Sequence, residues 1–202
     1  MSNSTERDAV RPAAESVDML SASLVEHVRV MEAVLQENME EIERAAQLIC
    51  QTLREGHKLL LCGNGGSAAD AQHIAAELVG RYERQRRAWP AIALTTDTSA
   101  LTALGNDYGY AEIFARQVEA LAQRGDLLVA ISTSGDSPNV LKAVERAREK
   151  GCRTIALTGA GGGQLAPACD EAVIIPSTRT SRVQEAHITI GHLWCEMIDA
   201  AL

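Results

Sequence analysis

Aromatic residues are scarce in this 202-residue chain, which has one Phe, two Trp and three Tyr. Its core must therefore be built mostly from Ala, Val, Leu and Ile, a composition suited to helices packed on a buried sheet. The five cysteines, Cys50, Cys62, Cys152, Cys169 and Cys195, are odd in number and include no CxxC pair. That argues against a zinc ribbon or a paired disulfide framework and points to a reduced, cytoplasmic compartment. No apolar run approaches the length needed to span a bilayer, and the start "MSNSTERDAVRPAAES" has no apolar signal-peptide core. A soluble protein with no membrane partner is predicted. Positive charge is also in deficit, with a formal net charge of -8 and a pI near 5.2. A general nucleic-acid surface, which needs clustered cations, is excluded, while a small anion in a local pocket is not.

The length fits one domain with a substantial core. Residues 1–15 read as a flexible N-terminal tail and 16–202 as the domain, opening with two helices that break between Val34 and Met39 and end at Gly56. From Lys58 onward, short apolar runs alternate with helical stretches. "KLLLC", "AIAL", "DLLVAIS", "TIALTG" and "EAVIIP" read as five buried strands, with helices near Ala68–Arg81, Ala111–Gln123, Val140–Lys150 and Gln164–Ala168 between them. A last helix spans Ser181 to Ala201. This alternation predicts an α/β fold, a parallel sheet with right-handed crossovers. The basic run "ERQRRAW", Glu83 to Trp89, reads as a solvated connection.

The segments that follow the strands are "GNGGSA", "TTDTSA", "STSGDS", "TGAGGG" and "PSTRTS". They place polar loops at the carboxyl edge of the sheet, where doubly wound folds bind ligands. "STSGDSPNV" opens a helix with three serines, a threonine and a glycine, which suits either an anion site at a helix N-terminus or a hydroxyl-capped turn. "GNGGSA" lacks the lysine of a nucleotide P-loop and the three spaced glycines of a dinucleotide fold, which favours a sugar phosphate over a nucleotide. Behind it, His73 and Glu77 lie four residues apart on one helical face; Gln184 and His192, eight apart, are again nearly aligned. A histidine and glutamate at this spacing suit either a metal pair or a surface pair, and Gln184 suits either a ligand or a helix-cap position. His187 reads as a packing histidine, and His27 and His57 as surface positions.

Taken together, "CGNGGSAADAQHIAAELVGRY", "LGNDYGY", "AISTSGDSPNV" and "RVQEAHITIGHLW" resemble the bacterial phosphoheptose isomerases of the sugar isomerase (SIS) domain family, from about Leu20 to the C-terminus. The resemblance implies a flavodoxin-like SIS core in a homotetramer, with N-terminal helices used in oligomerisation and active sites at subunit interfaces. It implies conversion of D-sedoheptulose 7-phosphate to D-glycero-D-manno-heptose 7-phosphate, the first step toward nucleotide-activated heptose for surface polysaccharides. On that likeness Ser132, Thr133, Ser134 and Ser137 hold the phosphate, and Asn64, Gly65, Gly66, Asn106 and Asp107 contact the sugar or shape its pocket. It also implies one zinc per subunit on His73, Glu77, Gln184 and His192, with Glu77 and Gln184 near the substrate as well.

Ketose–aldose isomerisation needs a base for a proton beside a carbonyl and an acid for the enediol oxygens, roles that fall to Glu77 and His192. The alternative is a non-catalytic SIS module that binds a sugar phosphate or the DnaA initiator; initiator-associating relatives lack both of these residues. Two departures from the family stand out. "STRTSRVQE" carries no carboxylate between Ser177 and Val183, and Arg86-Arg87 stands where Arg-Pro is common. Because a remote phosphate anchors C1 and C2 against the base, its binding energy should be felt in turnover. Sedoheptulose without its phosphate is expected to show a lower kcat at saturation than the 7-phosphate; equal kcat values in a steady-state assay would contradict this.

Overall fold

A computed structural model describes residues 13–202, with side chains from residue 16. Two helices, α1 (Ala13–Glu37) and α2 (Met39–Arg54), lead into β1 (Leu59–Gly63), α3 (Gly66–Val79), β2 (Ala91–Ala93), α4 (Thr98–Asp107) and α5 (Ala115–Leu121). The chain continues through β3 (Leu127–Ser132), α6 (Pro138–Glu149), β4 (Arg153–Thr158), β5 (Glu171–Ile174) and α7 (Thr180–Ala201). The strands form one parallel sheet in the order β2-β1-β3-β4-β5, the flavodoxin-like winding. All five strands lie where the apolar runs predict them.

Because successive strand residues face opposite sides, β1 serves two cores at once. Leu59 and Leu61 pack with Ile42, Ile49 and Leu53 of α2, Ile74 and Leu78 of α3, and Trp194 of α7. Leu60 and Cys62 pack on the other face with Phe114, Val118 of α5 and Val140 and Val144 of α6. Fully buried alanines, Ala45 and Ala46 on α2, Ala71 on α3, and Ala143 and Ala147 on α6, let the helices lie close to the sheet. The lone Phe and both Trp are buried, and Leu, Ile, Val and Ala make up nearly all the rest of the core.

Several boundaries differ from the sequence reading. Residues 1–12 of the predicted tail lie outside the described residues, whereas 13–15 already belong to α1. The break between the first helices does fall within Val34–Met39, at Asn38, whose amide donates to the Ile174 carbonyl at 3.2 Å and ties it to β5. The expected helix at Gln164–Ala168 is only a short 3-10 turn at Ala166–Ala168, since Pro167 and the preceding glycines leave too little helix-forming chain. The expected helix at Ala111–Gln123 is divided into a 3-10 turn, Tyr110–Glu112, and α5. Helix α4 was not anticipated; Asp97 caps it by accepting the Ala100 amide at 2.9 Å.

The basic run is not merely a solvated connection. The Arg86 side chain is only 9% exposed, and its Nε donates at 2.7 Å to Asp199 Oδ1. Its other nitrogens donate to the carbonyls of Glu77 at 2.8 Å and Leu78 at 3.0 Å, satisfying the end of α3. Asp199 also accepts the amides of Glu83 and Arg84. His27, too, has a partner rather than standing free at the surface: its Nδ1 lies 2.7 Å from Glu185 Oε2, joining α1 to α7.

His187 is fully buried on α7, as a packing histidine should be, and neither ring nitrogen makes a hydrogen bond of good geometry. Burial pushes its imidazole down to about 4, the Thr158 backbone offsetting only part of this. The unfolded chain therefore binds the proton first, and stability falls as pH drops below the ordinary value of 6.5 and on toward 4. Urea unfolding should show wild type losing about 3 kcal/mol more than His187→Gln across this window; parallel stability profiles for the two proteins would contradict it.

Candidate active site

Only Asn64 and Gly65 separate β1 from α3. Gly65, at φ +56°, turns the chain, and the Asn64 carbonyl already accepts the Ser67 amide at 3.0 Å. α7 crosses at the next residue, Gly66, where the Gln184 amide occupies the space of a side chain: a Cβ there would stand 2.5 Å from Gln184 Nε2 and would displace that amide. Farther along the same helix pair, a Cβ on Gly191 would stand 2.8 Å from Ile74 Cδ1. The contacts run in the same order on both helices, so α3 and α7 are parallel and closely packed.

That packing brings His73, Glu77 and His192 together. His73 Nε2 lies 2.9 Å from His192 Nε2 and 3.5 Å from Glu77 Oε1, and one ligand atom from each residue fits within a 4.8 Å group. Two imidazole nitrogens at 2.9 Å cannot both carry a proton between them, so one presents a lone pair. Tyr82 stacks on His192 with centroids 5.5 Å apart. Gln184 stands about two turns before His192 on α7, its amide over Gly66 at the start of α3.

Asp70 lies one turn before His73 on α3. Burial raises its carboxyl to about 6, against the opposing pull of His73, and its Oδ2 has no hydrogen-bond partner. Cys195, beside Glu77, is held at about 12 by burial and then by that carboxylate, so it stays a thiol.

The serine loop lies across the sheet edge, between β3 and α6. Ser132 is buried at the strand end, its Oγ 2.9 Å from Ser137 Oγ and 3.5 Å from Ser134 Oγ. Ser137 precedes α6 without capping it through its side chain, and Pro138 occupies the first helical turn. Three hydroxyls and an uncapped helix N-terminus therefore face one another, with Thr133 partly exposed beside them. This is an arrangement suited to an anion. The loop is braced from behind: the Gly135 carbonyl accepts the Leu165 amide at 2.9 Å, and Asp136 Oδ1 accepts the Gln164 amide at 3.0 Å.

Asn64, in the glycine loop, reaches toward the serine loop and is bonded to Asn139 and Tyr110. Asn106 and Asp107, by contrast, are exposed at the end of α4 and bond to each other at 2.8 Å. Among the described residues no hydrogen bond joins either of them to the glycine or serine loop. Asn139, Tyr110, Tyr82 and the Arg86–Asp199 pair were not singled out from sequence. Their partners lie 46 to 113 positions away, a separation that no local pattern reports.

Comparison with known proteins bears on this geometry. The SIS domain family model matches residues 24–159. The phosphoheptose isomerase of Nitratiruptor sp. is 54% identical over 183 residues, covering 91% of this chain and 98% of the relative. Among solved structures, phosphoheptose isomerase GmhA from Neisseria gonorrhoeae superposes with a TM-score of 0.87 at 46% identity, covering 91% of this chain and 98% of that one. A phosphoheptose isomerase from Francisella tularensis gives 0.89 at 39% identity, covering 92% and 98%.

The serine loop depends on Gly135, which sits at φ +72° with the Gly162 carbonyl oxygen 2.2 Å from where a Cβ would be. Gly135→Ala is expected to cost about 1–3 kcal/mol in strain and to weaken competitive inhibition by inorganic phosphate. An unchanged inhibition constant would separate this loop from phosphate binding.

Proposed function

The chain belongs to the SIS domain family and, within it, to the phosphoheptose isomerases, and on that premise we propose that it converts D-sedoheptulose 7-phosphate to D-glycero-D-manno-heptose 7-phosphate. It is an enzyme, an aldose–ketose isomerase. The observation that carries the catalytic assignment is the convergence of His73, Glu77 and His192 on one face of the α3–α7 pair.

Glu77 takes the proton from the carbon beside the carbonyl. Its Oε1 lies toward His73, and its second oxygen is left for this work; the side chain is 23% exposed, accessible yet partly withdrawn from water. His192 exchanges a proton with the neighbouring oxygen or carbon, its ring held by Tyr82 on one side and His73 on the other. Removal at one carbon and return at the next moves the hydrogen between C1 and C2 without changing the redox state of the molecule as a whole. Ser132, Thr133, Ser134 and Ser137 hold the phosphate, so that its binding energy orients the reacting carbons. Asn64 and the backbone at Gly65 and Gly66 form the sugar wall. Asn106 and Asp107 complete it from the end of α4.

Two imidazoles and a carboxylate are a donor set that suits zinc, and their separations of 2.9 and 3.5 Å need little adjustment around one ion. His73, Glu77 and His192 would hold it, with Gln184 as the fourth ligand. The ion would supply Lewis acidity toward the carbonyl and enediol oxygens. A homotetramer with sites at subunit interfaces is supported by α1, where Val17, Leu20, Leu24 and Val28 form an exposed apolar stripe. A cytoplasmic location is supported by five free cysteines, four of them buried. Residues 16–202 act as one SIS domain, and the product supplies activated heptose.

Glu77→Gln and His192→Gln should each lower kcat by about 100-fold or more while gel filtration still reports the tetramer. His73→Gln should lose bound zinc by elemental analysis. Full activity in either catalytic variant would remove that residue from the mechanism.

A further inference from the structure

The glycine loop and the serine loop are fastened by a pair of side-chain amides. Asn64 Nδ2 donates to Asn139 Oδ1 at 2.8 Å, and Asn139 Nδ2 donates back to Asn64 Oδ1 at 2.8 Å. The Tyr110 hydroxyl donates to the same Asn64 oxygen at 3.0 Å. A carboxamide oxygen has two lone pairs and its nitrogen two hydrogens. Both lone pairs of Asn64 are thus taken, and one N–H is left.

The partners that impose this are themselves fixed. Asn139 is 2% exposed in the first turn of α6, two residues after Ser137. Tyr110 lies in the 3-10 turn after Gly109, and an ion pair between Glu112 of that turn and Lys142 pins it to α6. Tyr110 is 64% exposed, so its contact with Asn64 is not forced by burial. Asn64 and Tyr110 line one small cavity together with Gly65, Thr95 and Leu101.

We propose that Asn139 and Tyr110 are positioning residues that hold Asn64 as a hydrogen-bond donor toward one oxygen of the phosphosugar. The proposal rests on the reading of Asn64 as a sugar contact. With its acceptor capacity filled, the amide can recognise a hydroxyl or carbonyl oxygen there but cannot accept a bond from an ammonium group. The same clamp sets the spacing between the sugar wall and the phosphate loop, because Asn139 belongs to the helix that the phosphate loop opens.

The test is a double-mutant cycle on kcat/KM for the phosphoheptose, with Asn64→Ala, Tyr110→Phe and Asn139→Ser made singly and in pairs. Tyr110→Phe removes one hydrogen bond at an exposed site and should lower kcat/KM by about threefold to tenfold, chiefly through KM. Its melting temperature and its inhibition by inorganic phosphate should match wild type. Asn139→Ser should cost more. Both losses should shrink to within about twofold once residue 64 is alanine, as coupling through a shared partner requires. Losses that persist in full in the Asn64→Ala background would overturn the clamp while leaving Asn64 as a sugar contact. Wild-type kcat/KM in Asn64→Ala would remove the sugar contact itself, and the clamp with it.

Discussion

The close parallel approach of α3 to α7 is the constraint on which the site depends. Gly66 on one helix and Gly191 on the other assist it, since a side chain at either position would press on Gln184 or Ile74 of the partner helix. With the axes this near, His73 and His192 meet at 2.9 Å, and Glu77, one turn after His73, reaches the same point. Buried groups hold the far end of the pair: Arg86 satisfies the last carbonyls of α3 and bonds to Asp199 of α7. A buried arginine–carboxylate pair adds little net stability, but it fixes geometry, since losing either partner strands a charge.

The sheet supplies the second half of the site by a different route. Parallel strands deliver every loop to one edge, so the glycine loop after β1 and the serine loop after β3 become neighbours through the β1–β3 pairing. Their chemistry divides accordingly. The serine loop offers hydroxyls and a helix N-terminus with no cation, enough to hold a phosphate without the strong field of a lysine. The glycine loop offers exposed backbone and one oriented amide, and it leads straight into the helix that carries His73 and Glu77. On the proposed assignment, phosphate recognition and proton transfer are built on separate elements joined by short connections.

Much of this is legible in the residues themselves. Strand apolar runs, the polar loops after them and the i, i+4 spacing of His73 and Glu77 are local patterns, and a buried parallel sheet writes continuous apolar runs into its strands. Local reading failed where the decisive partner was distant or the signal weak. The run around Arg86 looks solvated because its carboxylate partner is 113 positions away. Helix α4 starts in a segment of small polar residues with poor helix propensity, and the Asp97 cap compensates. At Gln164–Ala168 a proline and three glycines outweighed the expected helix.

The sequence by itself determined the α/β winding, the residue types at the carboxyl edge and the side chains able to do isomerase chemistry, because each follows from short-range periodicity and composition. Only the tertiary structure decided which of them meet. It gathered His73, Glu77 and His192, laid the Gln184 amide over Gly66, and tied Asn64 to Asn139 and Tyr110. The physical reason is that helix-to-helix distance and amide orientation are set by the packing of segments far apart in the chain, which no window of sequence contains.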